Sequence, residues 1–105
     1  MSRLGLLVSL LVMSGPAAAQ PPSADRQQQL LHLLKQDCGS CHGLTMKGGL
    51  GPPLLPASLR GKDEAVLAAI VLDGSPGTPM PPWRFELSDD EAVWLVRQLA
   101  QGVTP

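Results

Sequence analysis

The 105-residue chain has only two cysteines, and they lie three residues apart, so no disulfide framework braces the fold. It also lacks an excess of charge of either sign, because eight basic and nine acidic residues give a formal net charge of −1. Nucleic-acid-binding domains normally carry a clear basic patch or stripe, so we expect no nucleic-acid partner. A domain this small usually needs another stabilising group, such as a metal or a cofactor.

Long hydrophobic segments are absent as well. The apolar run at Leu4–Met13 is about half as long as the ~20 residues that span a bilayer. One arginine precedes the run, and helix-breaking residues and three alanines ending at Ala19 follow it. This order is typical of a cleavable secretory signal peptide. We therefore predict a signal peptide at 1–19, no stable membrane insertion and a domain at 20–105, with an uncleaved anchor as the alternative.

A histidine directly follows the cysteine pair, so residues 38–42 read Cys-Gly-Ser-Cys-His. This C-x-x-C-H pattern is the signature of c-type haem attachment. Two thiols at this spacing can form thioethers with the two vinyl groups of one haem, and the neighbouring imidazole can bind the iron. We predict one covalently attached haem c, held by Cys38 and Cys41 and ligated by His42.

Three other interpretations of the cysteine pair are weaker. A thioredoxin-like redox motif needs a βαβ context, and the sequence shows no convincing strand pattern. A zinc site needs about four ligands, and residues 20–105 offer only two cysteines, His42 and His32. His32 lies off the apolar stripe of its predicted helix and is expected at the surface. A simple disulfide leaves His42 unexplained.

A low-spin electron carrier needs a second axial ligand, and methionine is the usual partner of histidine in cytochromes c. Met46 follows His42 by only four residues, a tether too short to reach the other face of the ring. Met80 lies in the proline-rich stretch 77–83, which favours a stiff extended loop. We predict Met80 as the distal ligand and Met46 as a packing residue, with an open distal site as the alternative.

Three more residues are candidates for contacts around the haem. Trp83 and Arg84 carry N–H donors that suit haem propionates, although plain packing of Trp83 and solvation of Arg84 are equally compatible with the sequence. Pro52 lies ten residues after His42. Its carbonyl oxygen can accept a hydrogen bond from the His42 ring and so fix the imidazole tautomer.

Apolar periodicity predicts helices and no strands. The first helix covers 25–37, and an irregular loop rich in proline and glycine covers 43–61. The second helix covers 63–72 and ends at Gly74. Ser88 and Glu91 form the capping box of a last helix that Gly102 ends. The residues expected to face inward are Leu31, Leu34 and Cys38 in the first helix, Val66, Ala69 and Ile70 in the second, and Ala92, Leu95, Val96 and Leu99 in the last.

This order of helix, attachment motif, Gly-Pro loop, helix, methionine loop and terminal helix resembles class I cytochrome c over the whole of residues 20–105. The resemblance implies an all-α fold of three to four helices wrapped around one covalently attached haem. Trp94-Leu95 stands where that family places an aromatic residue and a leucine that pack across the first helix. The chain departs from many members in having no tyrosine and one phenylalanine, so the resemblance says less about the pocket walls.

Two shorter stretches give a narrower resemblance. Residues 38–52 (Cys-Gly-Ser-Cys-His-Gly-Leu-Thr-Met-Lys-Gly-Gly-Leu-Gly-Pro) and 73–83 (Asp-Gly-Ser-Pro-Gly-Thr-Pro-Met-Pro-Pro-Trp) are similar to those of the cytochrome c55X group. These are small periplasmic monohaem cytochromes associated with the haem-cd nitrite reductase of denitrifying bacteria. The resemblance implies a periplasmic monomer that donates electrons to nitrite reductase or helps to make its haem d.

Three functions are therefore compared. The first is a diffusible electron carrier rather than an enzyme, with redox partner proteins such as nitrite reductase. The second is a redox helper that binds a haem d maturation protein. The third is a haem sensor or enzyme with an open distal site, which is weaker because only Arg84 lies near Met80 as a candidate acid or base. Lys35 and Lys47 flank the attachment motif, where orientation of a partner and simple solvation are both compatible with the pattern.

Overall fold

The computed structural model describes residues 5, 9–12 and 20–103. The predicted signal peptide, including its cleavage site after Ala19, therefore lies largely outside the described residues. The described members of the apolar run, residues 5 and 9–12, are exposed and irregular. Among the helices that the structure describes, none has the length and apolar character needed to cross a membrane.

Between residues 20 and 103 the chain is helical and contains no strand, which confirms the predicted all-α class. The first three elements follow one another without a break, so the first helical segment reaches His42 and not only Asp37. The elements in chain order are α1 (Ala24–Leu33), a π-helical turn (Leu34–Cys38), α2 (Gly39–His42), α3 (Pro56–Leu59), α4 (Glu64–Asp73) and α5 (Asp89–Gln101).

The π-helical turn leads directly into the attachment motif. The Gly39 N–H donates to the Leu34 carbonyl oxygen, five residues back, in place of the four-residue spacing of an α-helix. Leu30 and Leu34 are fully buried, whereas Leu31 and Cys38 of the predicted stripe are only half-buried. The helix thus continues past the position where the sequence pattern ends and places the cysteines on its last turns.

The second helix was expected to face inward through Val66, Ala69 and Ile70, and this prediction is wrong. The structure buries Ala68 and Leu72 instead, where α4 packs on α5, and leaves Val66 57% exposed. Residues 65–72 are all apolar, so the periodicity of the sequence could not select a face. Ile70 is 38% exposed and borders the cavity described below.

The last helix agrees with its prediction. Ser88 accepts from the Glu91 N–H at 3.2 Å, and Glu91 accepts from the Ser88 N–H at 3.0 Å, so both halves of the capping box are present. Gly102 ends the helix in the left-handed conformation. All four residues of the predicted stripe are buried: Ala92, Leu95, Val96 and Leu99.

Helix α5 is the centre of the packing, because it contacts α1, α3 and α4. The stretch expected to be an irregular loop, 43–61, contains the short helix α3 and is otherwise irregular. A second loop, residues 74–83, joins the end of α4 to the approach of α5 and contains Met80; we call it the Met80 loop. These two loops and α4 and α5 enclose a large cavity.

Candidate functional site

A cavity of about 670 Å³ lies between the attachment motif, the loop that follows it, α4, α5 and the Met80 loop. Its volume is within the range of small-molecule and cofactor sites. Most of its walls are apolar, and leucines, prolines, Ile70 and two valines supply them. A flat apolar cofactor held by a few polar groups suits such a lining better than a polar metabolite does.

Six of the seven predicted site residues come together at this cavity. They are far apart in the sequence and reach it from separate elements: Cys38, Cys41, His42, Pro52, Met80 and Trp83. Arg84 is not among the lining residues. Met46 does not line the cavity either; it is 1% exposed and belongs to the hydrophobic core, as a packing residue should.

His42 is the last residue of α2 and is only 9% exposed. Its Nδ1 lies 2.7 Å from the carbonyl oxygen of Pro52, the contact expected from the sequence. A carbonyl oxygen can only accept, so Nδ1 carries the hydrogen and Nε2 keeps its lone pair. This is the tautomer in which a neutral imidazole binds a metal through Nε2.

The loop after α2 is bonded closely to the attachment motif. The Gly48 N–H donates to the His42 carbonyl and the Gly51 N–H to the Cys41 carbonyl, both at 2.8 Å. A Cβ atom on Gly51 would lie 2.8 Å from the Nδ1 and Cε1 atoms of the His42 ring. Only glycine therefore lets the backbone pass the imidazole at this distance, which brings Pro52 within reach of Nδ1.

The two cysteines are half-buried and are not joined in a disulfide. Burial raises the pKa of the Cys38 thiol to about 11, and the Asp37 carboxylate adds to the shift. The first cysteine of a thioredoxin-like motif has a lowered pKa, because its thiolate is the nucleophile. Because a raised pKa disfavours the thiolate, Cys38 is poorly suited to thiol–disulfide exchange.

The Met80 loop is folded back on itself beside the cavity. The Ser75 N–H donates to the Met80 carbonyl oxygen at 3.3 Å, and the Met80 N–H donates to the Thr78 hydroxyl oxygen at 3.3 Å. Gly74 has φ +75°, and a Cβ there would lie 2.8 Å from the Met80 carbonyl oxygen. These contacts hold the Met80 backbone at a fixed place on the cavity wall.

The two donors expected near the propionates differ in their placement. Trp83 lines the cavity and stacks on Phe85, with 5.8 Å between ring centroids. The Arg84 guanidinium instead binds the Asp73 carboxylate through two hydrogen bonds, at 2.8 and 2.9 Å, and Asp89 through a third at 3.0 Å. The donors of Arg84 are therefore engaged away from the cavity, whereas Trp83 stays at its wall.

Lys62 lines the cavity and was missed by the sequence reasoning. Apart from His42, it is the only basic side chain among the described lining residues. It lies in an exposed turn after Gly61, just before α4. A lysine in such a turn has the pattern of an ordinary solvated residue, so no signal in the sequence singled it out.

The donor set fits a c-type haem. Two thiols, one imidazole with a free Nε2 lone pair and one thioether meet at a single, largely apolar cavity. Over the described ranges, no group of three or more His, Cys, Asp or Glu side chains is placed to hold a bare metal ion.

Comparisons with known proteins agree with a c-type haem site. Residues 25–97 match the family model described as cytochrome c oxidase, cbb3-type, subunit III. The chain is 51% identical to cytochrome c55X of Paracoccus denitrificans (strain Pd 1222), over 99% of both chains. The solved structure of the c-type cytochrome NirC is 60% identical and has a TM-score of 0.78, covering 80% of this chain and all of that one.

A longer protein also contains a region like this chain. Dihydro-heme d1 dehydrogenase of Pseudomonas aeruginosa (strain PAO1) is 36% identical over 94% of this chain, but the match covers 18% of that protein.

These matches extend over nearly the whole chain and include the attachment motif, and their family is one of electron-transfer proteins rather than enzymes. The chain is a c-type cytochrome and belongs to the cytochrome c55X family.

Proposed function

We propose that this chain is an exported, periplasmic monohaem cytochrome that carries single electrons to a partner of the nitrite reductase system. A bound haem c would supply one-electron redox chemistry. Cys38 and Cys41 would hold the group covalently, and His42 and Met80 would bind its iron. The observation that supports this most is the convergence of both thiols, the Nε2 lone pair and the Met80 side chain on one cavity.

The other residues of the site orient and screen the group. The Pro52 carbonyl oxygen accepts from Nδ1 of His42, which leaves Nε2 to bind the iron. Trp83 and Lys62 place an indole N–H and an ammonium at the cavity wall, where propionates need donors. The apolar lining from α4 and α5 would limit the access of water to a haem bound there, which would favour its ferrous state.

Absorption spectroscopy of the oxidised and reduced protein tests this function. A ferric haem bound by a thioether has a weak band at the red end of the visible spectrum, which we call the red thioether band. We expect that band in the ferric protein and a sharp α-band in the ferrous protein. A haem spectrum without the red band would contradict the Met80 assignment, and the absence of haem would contradict the proposal as a whole.

A redox helper in haem d maturation is the second candidate. It is favoured by the 36% identity to part of dihydro-heme d1 dehydrogenase, a protein whose name refers to that haem. Deletion of this chain's gene separates the two functions. If nitrite reductase then lacks its haem d while other periplasmic electron flow continues, the maturation role is supported. If the reductase is complete but receives electrons more slowly, the carrier role is supported.

A further inference from the structure

Arg84 joins two helices across the ends of the Met80 loop. Asp73 is the last residue of α4, Arg84 is the first residue after the loop, and Asp89 is the first residue of α5. The guanidinium binds Asp73 in a bidentate manner and Asp89 through its remaining Nη1. A single side chain thus connects the end of α4, the end of the loop and the start of α5.

The backbone closes the loop at the same place. The Trp83 N–H donates to the carbonyls of Val71 and Leu72 at 3.1 Å, and the Arg84 N–H donates to Leu72 at 3.1 Å. The two ends of the loop are therefore paired by backbone hydrogen bonds, and the Arg84–Asp73 pair lies directly outside them. Opening the loop at this end requires both sets of bonds to break.

The side chains of this cluster are exposed, by 53% for Arg84, 59% for Asp73 and 78% for Asp89. An isolated exposed ion pair contributes little to stability, but bidentate geometry and a shared network are the cases in which such pairs count. The Arg84 guanidinium also holds the pKa of Asp73 below its ordinary value, which agrees with a formed pair. The cluster is therefore better suited to holding together the three segments that it joins than to stabilising the whole domain.

We propose that Arg84 is a positioning residue, whose bridge from Asp73 to Asp89 holds the Met80 loop closed and keeps Met80 on the iron. This inference rests on the proposed function, in which Met80 is the distal ligand. It gives Arg84 a role through the loop and not through a propionate.

A second ion pair provides a matched control. Arg97 of α5 binds Glu64 of α4, with side-chain exposures of 56% and 41%. It joins the same two helices as the Arg84 bridge, but at the opposite end of α4, away from the Met80 loop. Loss of either pair weakens the α4–α5 contact, whereas only loss of the Arg84 bridge releases the loop.

The test is competition between Met80 and an external ligand in the full holoprotein. Imidazole binds ferric haem only when the thioether leaves, and it is neutral at mildly alkaline pH. We expect Arg84→Gln to raise the affinity for imidazole about fivefold and to weaken the red thioether band, as loss of a small ion-pair network predicts. Arg97→Gln should leave both unchanged while lowering the melting temperature by a similar amount.

Asp73→Asn separates the loop role from a propionate role. If the bridge acts through the loop, Asp73→Asn reproduces the effect of Arg84→Gln, and the double variant adds little to either. If Arg84→Gln alone changes the affinity, or if both variants and Arg97→Gln behave like the original protein, the inference is wrong. Absence of the red thioether band in the unaltered protein would instead overturn the proposed Met80 ligation itself, and this inference with it.

Discussion

At the level of single residues, the two methionines between residues 20 and 103 differ in what surrounds them. Met80 lies on the cavity wall in a loop fixed by backbone hydrogen bonds, and Met46 is enclosed in the core. We expect Met80→Ala to abolish the red thioether band and to lower the reduction potential, because a methionine ligand raises it. Spectra and a redox titration measure both. If Met46→Leu removes the band instead, the ligand assignment is wrong.

Met46 has a separate, structural role. It is 1% exposed and adopts φ +59°, a conformation that is unusual for a residue other than glycine. Met46→Ala removes most of a fully buried side chain, so we expect a loss of about 2–5 kcal/mol in the free energy of unfolding. Guanidinium denaturation measures the loss. Met46→Leu conserves volume and should cost less than about 1.5 kcal/mol, so equal losses would indicate that backbone strain dominates.

Lys62 contributes a positive charge at the cavity wall. A nearby cation disfavours the more positive ferric state, so we expect Lys62→Gln to lower the reduction potential. Lys47→Gln removes the same charge from an exposed residue that does not line the cavity, and it should lower the potential less. Redox titrations of the two variants under the same ionic strength compare them. A larger change of the reduction potential in Lys47→Gln would show that Lys62 has no special influence on the site.

At the level of helices, one ion pair connects the two ends of the domain. Arg26 of α1 binds the carboxylate of Glu91 in α5 and also donates to the Glu86 carbonyl oxygen at 3.0 Å. Glu91 is the more enclosed partner, with its side chain 18% exposed. Its hydrogen bonds to Arg26, and secondarily to Ser88, hold the pKa of Glu91 below its ordinary value.

The lowered pKa of Glu91 makes the stability of this contact dependent on pH. A carboxylate whose pKa is lower in the folded state stabilises the fold above its unfolded pKa of about 4.5, and this contribution is lost as the pH falls through the folded value. Arg26→Gln should therefore cost about 1 kcal/mol at neutral pH and progressively less in acid. Urea denaturation across this pH range measures the difference. A cost that does not change with pH would contradict the ion-pair explanation.

The helices show which parts of the fold could be predicted. Helix α5 was predictable because its capping box and its apolar stripe lie in one contiguous segment and agree with each other. The inward face of α4 was not, because Val66 and Ala68 are equally apolar and only contact with α5 distinguishes them. The π-helical turn at Leu34–Cys38 was also unpredictable, since no side chain signals a shift in backbone hydrogen bonding.

The same distinction applies to the site. The attachment motif could be recognised because both cysteines and the histidine lie within five adjacent residues. The Pro52 contact could be expected from its spacing after His42. The placement of Lys62 and the partners of Arg84 depend on how separate elements pack. A basic residue in a turn fits several partners equally well until the fold brings one of them near.

For the whole molecule, the cavity and the hydrophobic core share their walls. Five core residues also line the cavity: Leu34, Leu59, Leu95, Val96 and Leu99. A bound apolar group would therefore complete the packing of these residues. Small domains are stable by only about 5–15 kcal/mol. We therefore expect the fold of the chain to depend on the bound group.

Removal of the attachment thiols tests this dependence. The double variant Cys38→Ala, Cys41→Ala should retain part of its helical circular dichroism but lose near-ultraviolet signals and a cooperative thermal transition. Calorimetry of the holoprotein provides the reference. A haem-free variant that unfolds cooperatively near the same temperature would show that the helices alone suffice.

The position of the attachment motif at the end of the first helical segment has a consequence for the order of folding. Both thiols and the proximal histidine lie within five consecutive residues, whereas Met80 follows His42 by 38 residues. If the chain is exported N-terminus first, as proposed, Cys38, Cys41 and His42 emerge from the membrane before Met80 does. Closing the intervening loop costs entropy, and a haem already attached to the motif would offset part of that cost by binding Met80. The cofactor would then serve as a nucleus for the folding of the second half of the chain.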